Sequence, residues 1–323
     1  MFEVSKKNKT KSFFIVSIFV AFLAYLIYVV LMLNDFGIMA VPVAIIFSIL
    51  ASFGAYYNSD KIVLSLNGAR PATREENQRM YESLEGLCIA AGLPMPKLYI
   101  MDDLSPNAFA TGRNPQNAVI CVTTGLMEKL DSYELEGVLA HELSHIKNYD
   151  ILLQTIASIF VGFVTIISDL FFRVSIRSSR RDNDNTSGNA LFAIIGLVFL
   201  LLSPIFATLL QLALSRNREY LADSSAIELT RNPQGLISAL KKISEDPDPL
   251  EQANKSTECL YISNPLKKEG LTKKLFSTHP PISERIKALE NWHWNIKRLF
   301  AKRLGAESPS LFWYIWKLYN SIV

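Results

Sequence analysis

Cysteine is scarce in this 323-residue chain: Cys88, Cys121 and Cys259 are odd in number, far apart and never in a C-x-x-C pair. That excludes a disulfide framework and a thiolate metal site, and it suits a reducing compartment. Net charge is small as well, +3 from 33 Lys and Arg against 30 Asp and Glu, so nothing argues for nucleic acid as a partner. Histidine is confined to His141, His145, His279 and His293, and no internal repeat is evident.

What the chain has in excess is apolar residues, 50% of the total, and they are gathered into runs rather than spread evenly. The uncharged run Phe13 to Leu33 is long enough to cross about 30 Å of hydrocarbon as one helix, and Phe36 to Tyr57 gives a second. Lys6, Lys7, Lys9 and Lys11 precede the first run. A cleaved export signal is disfavoured, because the run is too long for a signal core, no small-x-small site follows, and a second apolar segment comes at once. With Lys61, Arg70, Arg74 and Arg79 after the second run, the positive-inside rule places both flanks in the cytoplasm, with only Asn34 and Asp35 turning outside.

Four regions follow from this pattern: an N-terminal transmembrane hairpin over 1–57, a polar α/β stretch over 58–150, two further apolar helices over 151–214, and a mixed-charge helical region over 215–323. Within the second, Glu75 to Ala91 reads as an amphipathic helix stopped by Gly92 and Pro94. Leu98 to Met101, Ala108 to Thr111 and Ala118 to Thr123 read as strands of a small antiparallel sheet. Asp131 with Glu134 forms a capping box that opens a helix striped by Leu135, Val138, Leu139 and Ile146. The expected fold class is mainly α with a small antiparallel β-sheet, carried on transmembrane helices. By length, Ile151 to Phe172 and Ala190 to Leu214 both cross the membrane, although the arginines between them then lie outside, against the positive-inside rule, and Asp169 falls within the bilayer. The stretch Asp246 to Pro281 reads as mobile loop, and the terminal Trp313, Tyr314, Trp316 and Tyr319 fit either an interfacial patch or a packed helix.

A zinc hydrolase needs a few protein ligands, a coordination position left for water, and a base beside that water. The segment His141-Glu142-Leu-Ser-His145 meets the first and last needs on one helix, since residues four apart project from the same face and Glu142 lies beside them. Its apolar flanks place that face in a core, where unpaired imidazoles would be costly. A third ligand must come from elsewhere. Ser215 to Asp223 opens a helix after an apolar segment and carries Glu219 and Asp223 on one face. Glu219 would complete the metal site, and Asp223 would hydrogen-bond a ligand imidazole.

Taken with Pro106-Asn107-Ala-Phe-Ala-Thr-Gly112, Arg218-Glu219-Tyr-Leu-Ala-Asp223 and Ser277-Thr-His279-Pro-Pro281 followed by Arg285 and Ile286, this organisation resembles the HtpX-type membrane zinc endopeptidases, relatives of the CAAX prenyl proteases. The resemblance implies a gluzincin-like domain facing the cytoplasm of a bacterium from a multi-pass plasma-membrane anchor. It implies one Zn²⁺ held by His141, His145 and Glu219, with Glu142 as general base to a metal-activated water. It sets Asn107 at a substrate-binding edge strand and His279 near the catalytic site, while bland readings stay open for both, a turn residue and a helix-entry residue. His293 reads as packing. The implied partners are the lipid bilayer and polypeptide substrates, namely misfolded or damaged membrane proteins in quality control. An edge strand over Asn107 to Gly112 would align an extended peptide with little demand on its side chains. Because both ligand helices adjoin apolar segments, the site is expected at the membrane surface. Cleavage within the bilayer is disfavoured by the charged run Glu128 to Glu136. The reading from another class is a non-enzymatic membrane adaptor with a structural metal, for which Glu142 would have no role.

Overall fold

The computed structural model describes residues 2–32, 36–163, 216–251, 256–266 and 280–291. It begins with two apolar helices packed on each other, α1 (Phe2–Met32) and α2 (Ala40–Tyr57). Ser5–Val29 within α1, and Gly37–Tyr57, which is α2 with the 3-10 turn Gly37–Met39 before it, are 25 and 21 residues long and apolar enough to span a membrane. Phe13, Phe14, Phe47, Leu50 and Phe53 point outward and are exposed, which suits lipid better than water. The helix of α1 starts well before the apolar run, so the lysines at 6, 7, 9 and 11 are helical too. Residues 33–35, where Asn34 and Asp35 were expected to turn, lie outside the described residues.

After a short α3 (Ser59–Leu66), the polar region folds as β1 (Arg70–Pro71), α4 (Gln78–Ala91), β2 (Lys97–Met101), β3 (Ala108–Gly112) and β4 (Ala118–Thr123). Helix α4 begins three residues later than Glu75, because Asn77 turns back to bond the Thr73 carbonyl. It ends on Gly92, whose φ of 65° is the left-handed cap that glycine adopts freely.

The sheet runs in the order β1-β2-β4-β3. Pairs β1/β2 and β3/β4 are antiparallel, but β2/β4 is parallel, with Tyr99 opposite Cys121. The expectation of a purely antiparallel sheet is therefore corrected to a mixed one. The cause is the 102–107 connection, which does not turn back as a hairpin but crosses to the far side of the position β4 will take. Asp103 fixes that crossing by accepting the Ser105 N–H and the Gly125 N–H. A Cβ at Gly125 would meet the Leu104 carbonyl oxygen at 1.9 Å, so the connection and the following turn touch backbone to backbone.

Among the described residues the rest is built of α5 (Thr124–Lys129), α6 (Ser132–Lys147), α7 (Asp150–Phe163), α8 (Arg216–Thr230) and α9 (Pro233–Glu245), with a further helix over 282–291. Helices α4, α6, α8 and α9 share a core with one face of the sheet, including Leu84, Ile120, Leu139, Ala226 and Leu240. A second cluster joins α1 to α7, where Phe19 stacks on Phe160 with ring centroids 3.7 Å apart. Helix α7 covers the first part of the run read as Ile151 to Phe172, while its end and the Ala190 to Leu214 run lie outside the described residues. Trp313, Tyr314, Trp316 and Tyr319 lie outside them as well.

The third cluster corrects the reading of Asp246 to Pro281 as loop throughout. Cys259, Leu260 and Tyr261 pack on Val63, Phe109 and Cys121. Asn67 Oδ1 accepts from both Thr257 Oγ1 and Tyr261 Oη, at 2.8 and 2.9 Å. Polar and lysine-rich neighbours in sequence hid this short apolar anchor, Cys259-Leu-Tyr-Ile262.

Candidate active site

Helix α6 starts where its sequence directs. The Asp131 side chain accepts the Glu134 N–H at 2.9 Å and the Glu134 side chain accepts the Asp131 N–H at 2.8 Å, a complete capping box. Lys242 of α9 binds Glu134 at 2.7 Å and ties the two helices together. At Gly137 they approach so closely that a Cβ would lie 2.8 Å from the Leu236 nitrogen. Leu135, Val138, Leu139 and Ile146 are wholly buried, so the stripe turns His141, Glu142 and His145 into an enclosed site. Helix α8 packs alongside and brings Glu219 and Asp223 to the same place.

Nε2 of His141 and Nε2 of His145 are 3.2 Å apart. Glu219 completes a triangle, Oε2 at 3.7 Å from the first and Oε1 at 3.6 Å from the second. Ligand atoms about 2.0–2.1 Å from a tetrahedral metal stand about 3.4 Å from one another, so the three edges fit one zinc-sized ion. The chemistry of the donors fits as well, two imidazoles and a carboxylate, with all three residues buried.

The outer nitrogens are both claimed by carboxylates. His141 Nδ1 donates to Asp223 Oδ1 at 2.9 Å, and His145 Nδ1 lies 3.2 Å from Asp150 Oδ2. Each contact turns Nε2 inward, the tautomer and orientation a metal requires. Asp223 is in turn held by Arg285, whose Nε and a terminal nitrogen reach it at 2.8 and 2.6 Å while another donates to the Ile262 carbonyl at 2.8 Å. Arg218 lies 3.4 Å from Asp150 Oδ1.

Burial, with Arg285 nearby, lowers His141 to about 4 despite Asp223. Burial also works against a charged His145, but Asp150 and Glu219 outweigh it and lift this imidazole to about 9. The pair is consistent: a protonated His145 donates across the 3.2 Å gap to a neutral His141. Burial raises Glu142 to about 7, with Glu219 pushing the same way and His145, Arg285 and the Ala110 N–H opposing. Neither oxygen of Glu142 makes a full hydrogen bond among the described residues. Burial notwithstanding, Arg285 and His141 hold Asp223 below its ordinary value.

The arrangement can hold one divalent ion on three buried donors with an ionisable carboxylate beside it, the equipment of a metal hydrolase. A scan against protein-family models matches residues 74–293 to peptidase family M48. The chain belongs to that family. Among M48 relatives, a "Protease HtpX homolog" of Dictyoglomus turgidum is 47% identical over 295 residues, spanning 90% of this chain and 96% of that one. A second, from Listeria monocytogenes, is 44% identical over 308 residues, spanning 90% and 99%. A solved structure described as that of S. mikatae Ste24p matches at 20% identity and TM-score 0.49, over 90% of this chain and 67% of that chain. With its two apolar helices, this M48 protein is a membrane metalloprotease and acts on polypeptides.

His141, Glu142, His145, Glu219 and Asp223 are all brought together. Asn107 is placed differently from the open edge expected. Its side chain is fully buried, donating to the Ser263 carbonyl at 3.1 Å and accepting the Ser263 N–H at 3.4 Å. The outer edge of β3 is occupied by this chain at Ala108, whose carbonyl takes the Ile262 N–H, and at Gly112, whose N–H meets Thr155. His279 and His293 lie outside the described residues. Sequence reasoning missed Asp150 and gave Arg285 no role. The available signal for Asp150 was an acidic residue just beyond a histidine-bearing helix, where it can reach back to a ligand's outer nitrogen.

Proposed function

We propose that this chain is a zinc endopeptidase of the bacterial plasma membrane, multi-pass, with its catalytic region on the cytoplasmic surface and misfolded or damaged membrane proteins as substrates. The observation that carries the reading is the buried triangle His141, His145 and Glu219 with the Glu142 carboxylate beside it, buried and without a full hydrogen bond among the described residues. A structural ion would not need such a base, whose burial is costly. The lysines of α1 and the basic residues after α2 support the cytoplasmic placement by the positive-inside rule. The regions 1–57, 58–150, 151–214 and 215–323 serve as anchor, first half of the peptidase, apolar pair and second half.

His141, His145 and Glu219 would hold the zinc, and Asp223 and Asp150 keep the imidazoles aimed. Zinc, when bound, supplies a Lewis acid that polarises a carbonyl and acidifies water. Glu142 takes the proton of the attacking water on a carboxylate oxygen and passes it to the departing amine. A raised proton affinity suits both halves of that transfer. Asn107 holds Ser263 next to β3 and so shapes the substrate side, and His279 keeps the place near the catalytic centre that the resemblance implies.

The test compares cleavage of an unfolded membrane protein by the full chain and by Glu142→Gln in lipid nanodiscs, both zinc-loaded. The variant is expected to keep its zinc and lose at least 10²-fold in rate. Equal rates would remove Glu142 as the base, and a zinc-loaded wild type inert on such substrates would remove the substrate class.

A further inference from the structure

The first transmembrane helix does more than anchor. Three consecutive residues, Asn148, Tyr149 and Asp150, link the end of the zinc-motif helix α6 to α7, and each is gripped by α1. The Asn8 amide nitrogen donates to the Asn148 carbonyl at 2.9 Å and to Asp150 Oδ1 at 2.7 Å. Lys9 Nζ lies over the Tyr149 ring, 4.0 Å from its centroid. Tyr149 has φ 59°, a left-handed conformation that a side chain with a Cβ adopts only when its surroundings impose it. Asn8 is 2% exposed on a helix whose neighbouring lysines are largely exposed. A polar side chain buried there needs its partners, and it has both.

Asp150 divides its oxygens. Oδ2 faces Nδ1 of His145 and Oδ1 faces Asn8 and Arg218. A carboxylate able to rotate freely would hold the imidazole in no fixed direction. Fastened by Asn8, it presents Oδ2 to His145 and turns Nε2 toward His141 and Glu219. We propose that Asn8 is a positioning residue for the metal site, acting through Asp150 on His145, so that α1 forms part of the frame that fixes the ligand. The path runs Asn8, Asp150, His145, and each step is a contact of 3.2 Å or less. This rests on His145 being a metal ligand, as in the function proposed above, but not on catalysis.

The experiment follows zinc leaving the detergent-solubilised full chain into excess chelator, with an indicator for the released ion. Wild type, Asn8→Ala, Asp150→Asn, the double variant and Ile18→Ala are compared, the last lying on the exposed outer face of α1. Removing a hydrogen-bond partner of a ligand typically costs 10- to 100-fold in metal affinity. Asn8→Ala, one contact further out, is expected to release zinc roughly three- to tenfold faster, and Ile18→Ala at the wild-type rate. In the Asp150→Asn background, Asn8→Ala is expected to add nothing, since its route to His145 is already cut. Cobalt-substituted Asn8→Ala is expected to show altered visible bands, a readout of ligand geometry that loosening of the anchor alone would not move. Wild-type release from Asn8→Ala, full additivity in the double variant, or an unchanged cobalt spectrum overturns the proposal. Because zinc release needs no substrate, its failure is distinct from failure of the peptidase reading, which shows as absent cleavage by a loaded wild type.

Discussion

Asp223 stands between His141 and Arg285, accepting Nδ1–H from the imidazole at 2.9 Å and two guanidinium N–H groups at 2.8 and 2.6 Å. The ion pair is enclosed, with Arg285 wholly buried, so the carboxylate keeps both its charge and its direction. Replacing Asp223 by Asn preserves shape but weakens the hold on Nδ1. Zinc affinity is expected to fall about 10- to 100-fold, measured by chelator competition. An unchanged affinity would show that packing alone orients His141.

Arg285 is expected to matter more for the fold than for the metal. Arg285→Met leaves the Asp223 carboxylate and the Ile262 carbonyl buried without this partner. Breaking a buried pair from one side costs about 3–5 kcal/mol, which denaturant titration of the solubilised chain would read as a lowered midpoint. A loss below about 1 kcal/mol would mean that water or a neighbour replaces the guanidinium.

How much of this was legible beforehand varies with the range of the interaction. The α6 start was readable because its signal is local: Asp131 and Glu134 cap each other within one turn. His141, Glu142 and His145 were readable for the same reason, as helical spacing alone puts them on one face. Asp223 was assigned to a ligand imidazole but not to His141, since that choice depends on how α8 lies across α6. The parallel β2/β4 pair was not readable, because three short strands with polar links look alike whether the chain turns back or crosses over. Asn8 was hidden among lysines, and its partners lie about 140 residues away, a distance no periodicity reports. The Cys259 to Ile262 anchor was too short for any pattern to reveal.

The packing of α6 on α9 depends on two small residues facing each other's backbone. A Cβ at Gly137 would lie 2.8 Å from the Leu236 nitrogen, and one at Gly235 would lie 2.5 Å from the Tyr133 carbonyl oxygen. Neither obstacle is a flexible side-chain tip. Gly137→Ala should therefore destabilise by about 1–3 kcal/mol through forced separation of the helices, despite alanine's better helix propensity. Because α6 also carries the histidines, zinc affinity should fall with it. A variant that melts at or above the wild-type temperature would show that the helices part without cost.

Proton release on metal binding tests the electrostatics directly. His145 is lifted to about 9 and His141 lowered to about 4, against an ordinary value of about 6.5. At pH 8 the metal-free site should therefore hold a proton on His145 and none on His141. Glu142, at about 7, is mostly ionised there. A metal ligand must be the neutral imidazole, so zinc held by His145 would displace that proton. About one proton is expected to leave per zinc bound at pH 8, and affinity should weaken about fivefold as the pH falls from about 9 to 8. Calorimetry in buffers of different ionisation enthalpy counts that proton. A count near zero would show that Asp150 and Glu219 do not hold His145 charged. Below about 7 the count should rise further as Glu142 takes up a proton that a bound dication expels, so a count that stays flat down to pH 6 would remove Glu142 from the edge of the metal site.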